Sequence, residues 1–153
     1  MIITFFGHSD FYEDEKLRKP VLDLLEELSK EEEITFYLGG YGNFDGFALY
    51  CAKEYKKTHP NCVISFISPY LGKWLDDRRE YFEDHFDEII YPEIEEAPLK
   101  FAISKRNEWM VKNSDYVIAY VRRHYGGAYN ALLYAHKQKK PYKNLYDGKY
   151  ELY

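Results

Sequence analysis

The stretch "DYVIAYVRRHYGGAYNALLYAHKQKK" (Asp115–Lys140) decides the fold. "DYVIAYV" is a short run of β-branched, aromatic and small apolar residues, as a strand covered on both faces requires. "GGAYNALLYAHKQKK" then switches to a helical pattern that opens on two glycines. A strand, a glycine turn and a helix in that order form the repeating piece of an α/β fold.

The same order recurs through the rest of the chain. "IITFFG" (Ile2–Gly7) reads as a buried strand ending in glycine. "EDEKLRKPVLDLLEELSKEEE" (13–33) is helical, with Val21, Leu24, Leu25 and Leu28 at helix spacing and acidic residues on the other face. Pro20 sits near its start or kinks it. "ITFYLGG" (34–40) is a second strand, "NFDGFALYCAKEYKK" (43–57) the helix after it, and "CVISFISPY" (62–70) a third strand. "GKWLDDRREYFEDHFD" (72–87) is helical or partly loop, and "EIIYPEI" (88–94) is a short strand ended by Pro92. "PLKFAISKRNEWMVKNS" (98–114) is a helix, and a final strand falls in "PYKNLY" (141–146). This alternation predicts a Rossmann-like three-layer α/β/α fold with a mostly parallel central sheet. No linker or internal repeat interrupts the 153 residues, so the reading is one domain over 1–153.

The totals exclude several classes. The chain is 46% hydrophobic and 31% charged, the composition of a soluble globular protein. No apolar run approaches the ~20 residues of a membrane span. The start, "MIITFFGHSD", has no basic n-region and reads as a strand, not a signal peptide. Cys51 and Cys62 form no CxxC pair and no histidine cluster accompanies them, so no metal site and no cofactor is expected, and the cytoplasm is the default location. The net charge of -5 weighs against nucleic acid as a partner, although a local basic pocket stays open. The 17 tyrosines suit packing, base stacking or a homodimer interface.

In parallel sheets, ligands bind beyond the carboxyl ends of the strands. Both glycine clusters fall there. "YLGGYGNFDGF" (Tyr37–Phe47) places Gly39, Gly40 and Gly42 before a helix N-terminus, with Asp45 able to accept from ribose hydroxyls or to stabilise its own helix end. Its spacing is not the full GxGxxG fingerprint, and by itself it reads equally as a turn. In "RRHYGGAYN" (Arg122–Asn130), Arg122, Arg123 and His124 precede Gly126 and Gly127, a combination suited to phosphate. Arg106 shares a helical stripe with Leu99, Ile103 and Met110; a buried guanidinium needs partners, either Asp115, strand-end carbonyls or a ligand anion. Asn107 beside it offers an amide. "GHSD" adds His8 and Ser9 after Gly7 as polar donors, and "ISPY" adds Ser68. No GxSxG elbow is present, and no catalytic residue can be assigned.

The segments "RNEWMVKNSDYVIAYV" and "GGAYNALLYA", with "GHS" after the first strand and "GGYGNFDGFA" after the second, resemble the YpsA-like branch of the SLOG superfamily, the group joining DprA/SMF proteins and LOG enzymes. The resemblance covers nearly the whole chain and loosens from Lys73 to Phe86. It implies a Rossmann-like fold whose glycine loops bind a nucleotide or nucleotide-derived small molecule, in a sensor or nucleotide-signalling role. It also implies an alternative. LOG enzymes hydrolyse the N-glycosidic bond of a nucleoside monophosphate, using an arginine that Arg106 matches and a glutamate on the last glycine loop. Here the threonine slot is Ala128 and the glutamate slot is Asn130, which cannot ionise. Glu108 or Asp45 are the carboxylates that could stand in. Whether a reaction follows binding is left open.

Overall fold

Period-2 alternation sorts the strand side chains into two cores. The computed structural model describes residues 1–30 and 32–152. In β1 (Ile2–Gly7), Ile3 and Phe5 point to one face and Phe6 to the other. β2 (Thr35–Leu38), β3 (Val63–Ile67) and β5 (Tyr116–Tyr120) alternate in the same way. β4 (Glu88–Ile90) and β6 (Tyr142–Asn144) are short edge strands. All six pair in the order β4-β3-β2-β1-β5-β6, and every pairing is parallel.

One face is covered by α1 (Arg18–Ser29), α2 (Asn43–Thr58) and two short helices, α3 (Lys73–Asp76) and α4 (Arg79–His85). The other is covered by α5 (Ala102–Lys112) and α6 (Gly127–Lys137). The expected three layers are therefore present. α1 buries Val21 and Leu25 with Leu24 and Leu28 packed beside them, and Pro20 lies in its first turn, where its missing N–H costs no helical bond. The helical reading of 13–33 continued beyond the end of α1 at Ser29; Glu31 lies outside the described residues. Cys51 and Cys62 are free and buried, and burial pushes the Cys51 thiol up to about 12. Among the described residues, no helix is long and apolar enough to cross a membrane.

This strand order positions the site. From β1 the chain moves outward through β2, β3 and β4, then returns by α5 to place β5 on the other side of β1. The carboxyl ends of β1 and β5 therefore flank the point where the order reverses, which opens a crevice between their loops.

Candidate functional site

A cleft of about 290 Å³ occupies that crevice. Ten of the residues singled out in the sequence line it: Gly7, His8 and Ser9 after β1, Gly39 and Asp45 around the β2–α2 turn, Arg106 and Asn107 from α5, Arg123 after β5, and Gly126 and Gly127 at the start of α6. Tyr41 and Ile103 line it as well, whereas Arg122 and His124 do not. Tyr41 had one visible signal, a large aromatic residue placed among glycines.

The first wall is tight. A Cβ on Gly7 would lie 2.0 Å from the Phe44 ring, so the end of β1 can pack against α2 only as glycine. Gly42 caps α2 at φ 89°, and a Cβ there would stand 2.8 Å from Ser9 Cα. The Asn43 amide donates to the Ser9 carbonyl at 3.0 Å, which ties the two loops together. Asp45, in the first turn of α2, accepts from the Tyr41 amide at 2.8 Å and so holds the glycine turn in shape.

Arg106 is 5% exposed. Its Nη1 donates to the carbonyls of Ile67 at 2.7 Å and Gly39 at 3.2 Å, and its Nε donates to Asn107 Oδ1 at 2.9 Å. These are the strand-end carbonyls the sequence left as one option; Asp115 instead accepts from the Ile2 amide. Nη2 makes no hydrogen bond within the described residues. It lies 3.2 Å from where a Gly39 Cβ would stand, and Asp45 Oδ2 lies 3.1 Å from the same point. No ion pair among the described residues joins the two groups. Gly39 thus leaves room for a charged donor and a charged acceptor to face one small volume of the cleft.

The electrostatics follow from burial. Part of the Asp45 surface stays open to the cleft, yet the surrounding atoms push its carboxyl up to about 6, against the opposing pull of the Tyr41 amide and Arg106. Burial likewise lowers Arg106 to about 10, with Asp45 opposing. Arg106 remains cationic at any neutral pH. Asp45 is poised to hold or release a proton near physiological pH.

The far wall is looser. Gly126 caps α6 at φ 93°, and a Cβ on Gly126 or Gly127 would meet nothing within 4 Å. No side chain caps α6, so its first amides, at the positive end of the helix dipole, have no side-chain partner among the described residues. His8, 3% exposed, accepts the Arg122 amide on Nε2 at 3.0 Å and so joins the loops after β1 and β5. Burial, then the nearby Arg123, lowers its pKa, which keeps the ring neutral as that acceptor role demands. Arg123 donates from both terminal nitrogens to Asp10 at 3.0 and 3.1 Å.

Four of the expected site residues stand elsewhere. Ser68 is buried and folds back on its own turn, donating to the Tyr70 carbonyl and accepting from its amide. Gly40 faces Phe66 and Gly42 faces Ser9, so both shape the wall without lining the cleft. Asn130 is exposed and lines a neighbouring depression with Glu108, which pairs with Lys105 at 3.4 Å. Of the two substitute carboxylates considered, Asp45 is in the cleft and Glu108 is not.

No family model matches the chain. It is 30% identical over 139 residues to the uncharacterised SPβ prophage-derived protein YoqJ of Bacillus subtilis, covering 80% of this chain and 81% of that one. Its fold matches that of DNA processing protein A (DprA) from Helicobacter pylori, described for its single-stranded DNA binding mode (TM-score 0.61, 19% identity, 93% of this chain). It also matches DprA from Streptococcus pneumoniae (TM-score 0.59, 15% identity, 95% of this chain). The chain spans 63% and 51% of the length of those two structures. They show the Rossmann-like DprA fold. They also overturn the expectation that nucleic acid is an unlikely partner, since the same fold serves a single-stranded DNA binder. The expectation rested on net charge, a sum over the whole surface; binding depends on the cations lining one groove, and Arg106 and Arg123 both line this cleft.

Proposed function

The chain belongs to the family of the Bacillus subtilis prophage-derived protein YoqJ, and from that premise we propose that its cleft binds a nucleotide or nucleotide-derived ligand. Within the wider superfamily we place it on the YpsA-like branch, as a sensor or a component of nucleotide signalling. One observation carries the reading: Arg106 Nη2 and Asp45 Oδ2, unpaired with each other, both lie within 3.2 Å of the point a Gly39 Cβ would take, in a cleft that the start of α6 also lines. An arginine with a free donor suits phosphate, a carboxylate suits ribose hydroxyls, and uncapped amides suit a second anionic oxygen.

Isothermal calorimetry tests this with nucleoside monophosphates, cyclic nucleotides, ribose 5-phosphate and a short single-stranded oligodeoxynucleotide. At least one should bind, and Arg106→Lys, which keeps the charge but loses the fork of donors, should weaken it by roughly tenfold or more. Silence across the whole panel would sink the reading.

Asp45 also favours a second reading. A cleft carboxyl raised to about 6 can act as general acid or base for cleavage of an N-glycosidic bond. That activity predicts release of free base from a nucleoside monophosphate, abolished in Asp45→Asn. Binding without base release leaves the first reading alone.

A further inference from the structure

Past Arg106 the cleft adjoins a second cavity, about 560 Å³, which the nucleotide reading so far leaves unused. The two share Gly39, Tyr41, Ile103 and Arg106. Its floor is the stacked pair Phe66 and Phe82, ring centroids 3.7 Å apart. Its walls include Tyr41, Tyr70, Trp74 and Tyr81. The floor is buried, whereas Tyr41 and Tyr81 are 78% and 56% exposed. Gly40, at φ 68°, lets the β2–α2 turn lie directly on Phe66, where a Cβ would stand 2.7 Å from the ring. The Arg78 guanidinium sits 4.7 Å from the Trp74 ring centroid, so a cation borders the aromatic surface.

Aromatic faces beside a cationic, phosphate-sized cleft are what a single nucleotide requires. Bases stack on such faces whatever their identity, while the charges alongside take the backbone. The cleft by itself is at the small end of ligand sites, and the trough supplies the missing room. Building on the nucleotide reading, we propose that this trough is a base-stacking subsite. The ligand lies across Arg106 with its ribose phosphate in the cleft and its base among Tyr41, Trp74 and Tyr81. The ligand class is therefore one that carries a nucleobase, not a bare sugar phosphate or an inorganic anion.

The chain has two tryptophans, which makes the test direct. Trp109 stacks on Tyr37 with centroids 5.4 Å apart, on the opposite face of the sheet. Trp109→Phe leaves Trp74 as the sole indole reporter. Titrations of this variant with the four nucleoside 5′-monophosphates and with ribose 5-phosphate are followed by Trp74 emission and, in parallel, by calorimetry. We expect at least one monophosphate to quench Trp74, and ribose 5-phosphate to bind without quenching. Tyr81→Ala, at an exposed position that lines the trough and not the cleft, should weaken the monophosphate about tenfold and leave ribose 5-phosphate unchanged, the low end of a base–aromatic stack. Tyr41→Ala, which borders both spaces, should weaken the monophosphate by at least as much. A monophosphate that binds with unaltered affinity in the Tyr41→Ala, Tyr81→Ala double variant and never moves Trp74 emission overturns the subsite while the nucleotide reading stands. If neither monophosphate nor ribose 5-phosphate binds, the nucleotide reading fails and takes the subsite with it.

Discussion

Two turns in this molecule have the same backbone and opposite surroundings. Gly42 caps α2 at φ 89°, ψ 173°, and Gly126 caps α6 at φ 93°, ψ 175°. Both follow a parallel strand and open a helix that no side chain caps. At Gly42 a Cβ would run into Ser9; at Gly126 it would meet nothing within 4 Å. The first turn is glycine because protein lies against it, and its work is to build a wall and hold Asp45. The second is glycine because of its dihedral angles alone, with no side-chain cap on its amides and open space where a Cβ would stand. The same sequence signal thus reports a backbone conformation, and only the surroundings say whether a ligand can come close.

Substitution by alanine breaks this comparison most forcefully. Gly42→Ala adds a steric clash to a backbone region that L residues avoid, and should cost about 3 kcal/mol or more. Gly126→Ala carries the conformational strain without the clash, on the order of 1–3 kcal/mol. Gly127→Ala, with ordinary φ and open space, should stay within about 0.5 kcal/mol of wild type. Urea midpoints with constant m-values read the series. Equal losses at Gly42 and Gly126 would mean that the crowding at Ser9 contributes nothing.

The two sides also answer pH with opposite signs. The Asp45 carboxyl is raised from 3.8 to about 6, so between those values the folded chain keeps a proton that the unfolded chain has lost. Stability contributed there falls as pH rises through the window, and the full deficit stands at pH 7. Asp45→Asn removes the deficit. It should be ~1–3 kcal/mol more stable than wild type at pH 7, after allowing for the open part of its surface, with the gap closing toward pH 4. His8 works the other way. Its pKa lies below the ordinary 6.5, so the unfolded chain protonates first as pH falls, and stability drops from about 6.5 downward. Protonation would also replace the acceptor of the Arg122 amide with a donor. In Asp45→Asn the His8 slope stands uncovered. A gap between variant and wild type that is the same at pH 4 and pH 7 would contradict the assignment of Asp45.

Much of the architecture was legible because it rests on local pattern. Short continuous apolar runs for the strands and a 3.6-residue apolar pattern for the helices predicted the element order, and the order predicted a cleft at the strand ends. Arg106 was visible as a cation on an apolar stripe, yet half of that stripe is not core. Ile103 is 46% exposed because it borders both the cleft and the trough, and Leu99, 79% exposed, lies in a short turn ahead of α5 on a separate depression. Local pattern could not reach the long-range pairings. That Ser68 would spend its hydroxyl on Tyr70, or His8 its Nε2 on an amide 114 positions away, depends on how loops meet in space. The aromatic trough was hidden for a different reason: Phe66 lies in a strand and Phe82 in a segment read only as helical or partly loop, and nothing local says that the two rings stack.

The smallest expected effect isolates the second turn. Arg123 precedes Gly126 and lines the cleft, but both its terminal nitrogens are engaged by Asp10 from the loop after β1. Its Nε is the one buried side-chain nitrogen or oxygen among the described residues without a hydrogen-bond partner. The carboxylate is exposed, so Asp10→Asn should leave the urea midpoint indistinguishable from wild type. The same change frees the guanidinium on the side of the cleft where the α6 amides are open. If an incoming phosphate competes with Asp10 for Arg123, ribose 5-phosphate should bind a few-fold more tightly to Asp10→Asn at low ionic strength, and the gain should fade as salt screens the exposed charges. If calorimetry shows the same affinity at low salt, Arg123 serves only to latch the two loops. The second turn then offers an anion nothing but its backbone, which is the contrast with the Arg106 side of the cleft in its sharpest form.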